Sequence, residues 1–293
     1  MMTEEYLKKI LNTLKECVHM LDFLGDIRSV VVFGSAVRPQ DFVVGVSDVD
    51  VLVITKEEPR RRLYRTEIYD ARVDITVMTI GEVYKVFEDG HPLAFMLYRS
   101  SQALVDDGAF AKLMRSVKPK VSEYTLKVLR RSAFVALELG LEDYFWELYR
   151  EATSHACHAV RHIARYVASL RGANAESFPI TDQEICHYLS KASQEAFLEI
   201  IMIRRQREVT RRECISALER AREVISREIG CKIPSFYEID EAVRRRAAFI
   251  RYARIIERPS NEVMVRCEVL TDEGNKVEVL EFTSSTSPHD VLG

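Results

Sequence analysis

The sequence predicts an α+β chain: an N-terminal domain built on a small mixed sheet with helices, an all-α helical bundle, and a short C-terminal β-hairpin. Three observations carry this. Over the first hundred or so residues, strand-length apolar runs alternate with helix-periodic stretches. No proline then occurs between Pro119 and Pro179, and helix-compatible residues dominate to Arg258. Finally, two β-rich runs, residues 262–270 and 276–282, flank Asp272-Glu-Gly-Asn275, the pattern of a hairpin. A chain of 293 residues has room for two domains. The expected boundaries are 1–118 for the mixed-sheet domain, 119–258 for the helical domain, and 259–293 for the hairpin and a polar, Ser/Thr-rich tail expected to be disordered.

The elements follow in order. Leu7, Ile10, Leu11, Leu14, Val18, Leu21 and Leu24 recur at three- and four-residue steps, which predicts an amphipathic opening helix stopped by Gly25-Asp26. Ser29-Val-Val-Val-Phe33 is a buried strand closed by Gly34-Ser35, and Asp48-Val-Asp-Val-Leu-Val-Ile-Thr55 is a second. A third covers residues 71–78, followed by a helix over 80–87. In the helical region, Arg171-Gly-Ala-Asn-Ala-Glu-Ser-Phe-Pro179 reads as a loop and Gly230-Cys-Lys-Ile-Pro234 as another break. Before the first of them, residues 148–170 are expected to form one long helix with small residues along one face, suited to close packing against a neighbour.

Composition excludes several classes. Forty-two Lys+Arg against 45 Asp+Glu, net −3, is no polycation for coating nucleic acid. There is no run of 18 apolar residues, so no membrane span is expected, and the first ten residues lack the apolar core of a secretory signal. The six cysteines include no Cys-x-x-Cys pair, and their scatter suits neither a zinc knuckle nor a disulfide framework. The expected location is the reducing cytoplasm.

The chemistry concentrates in Phe33-Gly-Ser-Ala-Val-Arg38 and Ser47-Asp-Val-Asp50. A strand ending in Gly34-Ser35 lets backbone N–H groups approach a phosphate, because glycine has no Cβ in the way, and the Ser35 hydroxyl adds a donor. A helix started there would aim its positive end at the same anion. Asp48 and Asp50 are two apart on a strand and point one way. Two such carboxylates repel unless a cation lies between them, the usual way of holding Mg²⁺ beside substrate phosphates. Asp74, flanked by Val73 and Ile75 in an apolar strand, needs a partner of the same kind. A phosphate cradle beside metal-binding acids points to in-line displacement at a nucleotide phosphorus with two-metal logic.

Gly34-Ser35, Arg38, Ser47-Asp48-x-Asp50 and Asp74 together resemble the signature of the DNA polymerase beta-like nucleotidyltransferase superfamily, in its minimal and kanamycin nucleotidyltransferase branches. Asp89-Gly-His-Pro-Leu-Ala94 and Ser101-Gln-Ala-Leu-Val-Asp106 are similar to the end of such domains, so the resemblance spans about residues 5–115. It implies that Asp48, Asp50 and Asp74 are catalytic and hold two Mg²⁺ ions, with Asp74 assisting metal binding or deprotonation of the attacking group. It also implies that Gly34, Ser35, Ser47 and Arg38 bind the nucleotide, ATP. Two features depart from the pattern. Twelve residues separate Ser35 from Asp48, more than in the minimal members, and Pro39 follows Arg38 where many relatives have glycine. Pro39 disfavours helical Arg38, so a helix begun at Ser35 is expected to be short or displaced.

The helical half resembles HEPN-type domains by pattern and order. With the first domain, it implies a nucleotidyltransferase that moves a nucleoside monophosphate to an unidentified hydroxyl acceptor (small molecule, protein or RNA) and releases pyrophosphate. The alternative is a toxin–antitoxin type pair acting through partner binding or protein AMPylation. The second half would help form the acceptor cleft and support a homodimer, with Glu142, Asp143, Glu147 and Glu151 in the region where a base for the acceptor is expected. His155, His158 and His162 can share one helix face; they read as packed or solvent-facing side chains rather than as a zinc site. Arginines cluster at residues 60–62, 204–205, 211–212 and 244–246, and residues 200–260 carry 15 basic against 9 acidic residues. They form either solvated helix faces with intrahelical pairs or a face for an anionic acceptor such as RNA.

Overall fold

The computed structural model describes residues 2–17, 26–271 and 276–284. Val18, Leu21, Leu24 and Gly25 of the opening-helix pattern, the hairpin turn at 272–275 and the tail beyond 284 lie outside the described residues. The chain divides into two compact units: Met1–Val128 with Ser169–Asp182, and Leu129–Ala168 with Gln183–Gly293.

The first unit begins with α1 (Met2–Cys17), β1 (Ile27–Phe33) and a 3-10 turn at Gly34–Val37, followed by β2 (Val49–Thr55), β3 (Leu63–Ile68) and β4 (Ala71–Thr79). It continues through α2 (Ile80–Glu88), α3 (Pro92–Arg99), β5 (Ser101–Asp106) and α4 (Ala109–Ser116). The strands form one sheet in the order β3-β4-β2-β1-β5. β2 and β4 run parallel and every other neighbouring pair antiparallel.

Alternation along β2 sorts its side chains to two cores. Val49, Val51 and Val53 pack with Leu7, Ile10 and Leu14 of α1, while Leu52 and Ile54 pack with Val83, Phe87, Leu97, Phe110 and Leu113 from α2, α3 and α4. The sheet is therefore covered on both faces, which is why its central strands read as continuous apolar runs. Local chemistry fixes the helix starts. Thr79 and Glu82 form a capping box on α2. Asp106 accepts the N–H groups of Phe110 and Ala111 at 3.1 and 3.0 Å, together with the Ser29 hydroxyl at 2.6 Å. The loop read at 171–179 packs into this unit: Phe178 stacks on Phe95 at 4.4 Å and accepts Arg99 Nη1 at 2.7 Å.

The second unit draws on α5 (Glu123–Phe145), α6 (Tyr149–Leu170), α7 (Asp182–Cys186), α8 (Lys191–Arg204), α9 (Arg211–Ile229) and α10 (Phe236–Arg246). They share a core with a three-stranded antiparallel sheet of β6 (Ala247–Glu257), β7 (Val263–Thr271) and β8 (Val277–Phe282). Gly140 of α5 sits where a Cβ would lie 2.7 Å from Leu218 Cδ2 and 3.3 Å from the Ala152 carbonyl oxygen, so α5 and α6 meet at small residues. The outer edge of β6 is satisfied from α5: Ala253 and Ile255 donate their N–H groups to Glu142 and Glu138 at 2.8 and 2.7 Å. The predicted hairpin corresponds to β7 and β8. β6 lies in the stretch read as helical, because two register shifts, between Ala247 and Phe249 and between Ile250 and Tyr252, break its two-residue period.

Candidate active site

The site follows from strand register. Asp50 on β2 pairs directly with Asp74 on β4, and Phe33 at the end of β1 pairs with Asp50. Residues directly opposite on neighbouring strands point to the same face, and Asp48 precedes Asp50 by two, so the three carboxylates share a face at the start of β2. There β1 ends at Gly34, whose φ of 74° belongs to glycine's range, and an added Cβ would sit 2.8 Å from Asp50 Oδ2. Only glycine lets the turn approach this carboxylate.

The loop between Gly34 and Asp48 is tied from both ends. Arg38 adopts φ −132° and ψ 84°, so the 3-10 turn stops at Val37 and Ser35 accepts the Arg38 N–H at 2.9 Å. This is the short helical start that Pro39 predicts. The Arg38 guanidinium pairs with Asp41 at 2.6 Å and bonds the Ser100 hydroxyl, while Ser100 in turn accepts the Gly34 N–H at 3.2 Å. Ser47 is buried; its hydroxyl accepts the Val43 N–H at 3.0 Å and its own N–H donates to the Val43 carbonyl at 2.8 Å. Arg38 and Ser47 thus brace the loop, and the half-buried Ser35 stands at its turn.

Electrostatics set Asp50 apart. Burial, followed by the like charges of Asp48 and Asp74, pushes its pKa up to about 7, although Arg72 and Arg38 pull it down. Arg72 bonds Asp48 and lies 3.6 Å from Asp74, while Arg65, directly opposite Asp74 on β3, donates to it at 2.7 Å. Neither arginine stands out in the sequence. Residue 72 shares strand parity with 74, and that parity is the signal that could have found it.

All-oxygen carboxylate donors are the ligand class of a hard divalent cation. Asp50, whose pKa burial and the like charges of Asp48 and Asp74 push up to about 7, fits such an ion. Among the described residues, however, no three His, Cys, Asp or Glu side chains stand as a ready ligand set. Arg72 occupies oxygens of two of the three aspartates, so the donor chemistry suits a cation once that guanidinium yields.

In the second unit, Asp143 lies 3.3 Å from His155, and Glu142 is engaged with the backbone of Ala253. Much of the arginine clustering is structural. Arg211 donates to Tyr144 at 2.9 Å and to Asp240 at 2.7 Å, Arg244 pairs with Asp240 at 2.6 Å, and Arg245 pairs with Glu241. No helix among the described residues is long and apolar enough to cross a membrane.

Comparison with known proteins agrees with the first unit. Residues 9–135 match the nucleotidyltransferase domain family model. Among solved structures, a nucleotidyltransferase-like protein from Exiguobacterium sibiricum 255-15 is similar over 75% of this chain and 76% of its own, at 12% identity and a TM-score of 0.34, a likeness too distant to carry an argument. No curated protein sequence matches the chain. Residues 9–135 thus carry a nucleotidyltransferase domain, and the chain is by enzyme class a nucleotidyltransferase, with transfer of a nucleoside monophosphate as its general activity.

Proposed function

We propose that this chain transfers the nucleoside monophosphate of ATP to a hydroxyl acceptor and releases pyrophosphate, with Asp48, Asp50 and Asp74 as its catalytic carboxylates. The register that sets Asp50 against Asp74, with Asp48 on the same face and Gly34 beside them, is the observation that carries the reading. Gly34 and Ser35 offer backbone N–H groups and a hydroxyl to the triphosphate. Arg38 and Ser47 hold that loop in place through Asp41, Ser100 and Val43. The acceptor oxygen attacks the α-phosphorus, the bond to the bridging oxygen breaks, and pyrophosphate leaves. In this reading Asp74 takes the acceptor's proton or completes the metal ligand set. Mg²⁺ bound by the three aspartates would neutralise charge on the phosphates and lower the pKa of the attacking group.

The test is incubation of the protein with each α-labelled nucleoside triphosphate, Mg²⁺ and a cell extract, scored for labelled product and pyrophosphate. The expected result is transfer from ATP that falls on the order of 100-fold or more in Asp48→Asn, Asp50→Asn and Asp74→Asn. Label on this chain itself would favour protein AMPylation within a toxin–antitoxin type pair, and label in RNA would identify a nucleic-acid acceptor. No pyrophosphate from any of the four triphosphates would overturn the reading.

A further inference from the structure

The second unit contains a cavity of about 610 Å³ that the nucleotidyl-transfer reading does not use. It opens on the face of β6 turned away from the core: Ala253 and Ile255 are buried, at 0% and 2% exposure, so the alternating Tyr252, Arg254 and Ile256 face outward. Two arrangements there are costly without a ligand. Arg254 on β6 lies directly opposite Arg266 on β7, and like charges facing each other across strands destabilise a sheet. Glu281 on β8 compensates Arg266 at 2.5 Å. Among the described residues Arg254 has no comparable partner: its guanidinium is 3.9 Å from the buried Glu138 carboxylate and lies over the Tyr252 ring at 5.8 Å. Arg131, entering the same cavity from α5, reaches Glu138 and the Ile255 carbonyl oxygen, both at 3.5 Å.

The nearby carboxylates are already committed. Glu138 accepts the Ile255 N–H at 2.7 Å, and Glu257 is paired with Arg130 at 2.6 Å. Two guanidiniums therefore share one carboxylate at long range, and both side chains are more than half exposed, at 51% and 59%. Planar guanidinium forks match phosphate oxygens two at a time. A terminal phosphate has three oxygens, enough for both forks at once, whereas a carboxylate has two. Beside them, Tyr252 and Ile256 supply a ring and an apolar wall for an organic body, and the volume is that of a small-molecule site.

We propose that this cavity is a binding site for a phosphate-bearing small molecule, its phosphoryl group held between Arg131 and Arg254 and its organic part against Tyr252 and Ile256. The site lies wholly in the second unit and is independent of the carboxylates of the first. The test is calorimetric titration of the full-length Asp48→Asn/Asp50→Asn protein with AMP and, separately, with inorganic phosphate. Saturable AMP binding is expected, with phosphate competing more weakly because it lacks the organic part; equal affinity for the two would place only an inorganic anion there and overturn the organic half of the proposal. Arg131→Gln and Arg254→Gln, added singly, should each weaken AMP by about 10-fold, and Arg254→Lys, which keeps the charge but not the fork, by less. Circular dichroism checks that each variant is folded. If one is not, chemical-shift changes at Tyr252 and Ile256 on adding AMP to the otherwise unsubstituted protein serve as the second measurement. Affinity unchanged in both arginine variants, no saturable binding of either probe, or AMP shifts confined to the first unit would overturn the proposal.

Discussion

Gly34 and Asp50 are in mutual contact range across the β1–β2 ladder: a single methyl on the glycine would press on the aspartate's Oδ2 at 2.8 Å. Gly34→Ala therefore carries two penalties, a positive φ for a residue with a Cβ and displacement of a carboxylate in the candidate site. The expected cost is about 1–3 kcal/mol of stability. A drop in nucleotidyl transfer should exceed anything that the loss of folded protein explains. Thermal denaturation and label transfer, measured on the same preparation, separate the two effects. Transfer at the unsubstituted rate would show that this approach is not needed for function.

Asp50 makes stability depend on pH in a predictable sense. Its folded-state pKa of about 7 lies above the usual carboxylate value, so the folded chain binds the extra proton between the two. The associated stability is fully present below the unfolded value and is lost as pH rises through about 7. Without added cation, Asp50→Asn should therefore stabilise the protein at pH 8 by roughly 1–3 kcal/mol, and the advantage should fade toward pH 4. Melting curves at a series of pH values, with and without Mg²⁺, test this. The cation is expected to narrow the gap at pH 8 by stabilising the protein that retains Asp50.

Arg72 competes with any cation for the same carboxylates. Arg72→Gln frees oxygens on Asp48 and Asp74, so Mg²⁺ or Mn²⁺ should raise the melting temperature at lower concentration than in the unsubstituted protein. Without metal the variant should be slightly less stable at pH 8, by about 0.5–1 kcal/mol, because Arg72 is half exposed. An unchanged cation midpoint would mean that the guanidinium does not guard the site.

Gly140 tests the packing of the second unit on its own. Gly140→Val puts a branched side chain against the Leu218 methyl and the Ala152 carbonyl, with an expected loss of about 2–3 kcal/mol. Gly140→Ala should cost less, since Leu218 can turn aside and alanine favours the helix. Chemical denaturation of both variants gives the order.

The parts legible from the sequence share a cause. β1, β2 and β4 are interior strands of a sheet covered on both sides, so their apolar runs stand out, and α2 announces itself through Thr79 and Glu82. Asp48, Asp50 and Asp74 were visible as acids in apolar surroundings. β3 and β5 are the sheet's edges and carry exposed, mixed residues such as Arg65 and Gln102, so no period marks them. β6 was hidden by its bulges and its arginines. The ion pairs of Arg72 and Arg65 depend on which strand lies beside which, and that pairing is decided by the whole sheet.

One feature of the second unit bears on association. Because Glu138 and Glu142 occupy N–H groups along the free side of β6, an incoming chain cannot hydrogen-bond there without displacing two anions. Among the described residues β8 has no such guard, and Val277 and Val279 stand exposed along it. Strand-swapped oligomers or fibrils of this protein should accordingly grow from the β8 side, and replacing the two glutamates would open the opposite border as a second front.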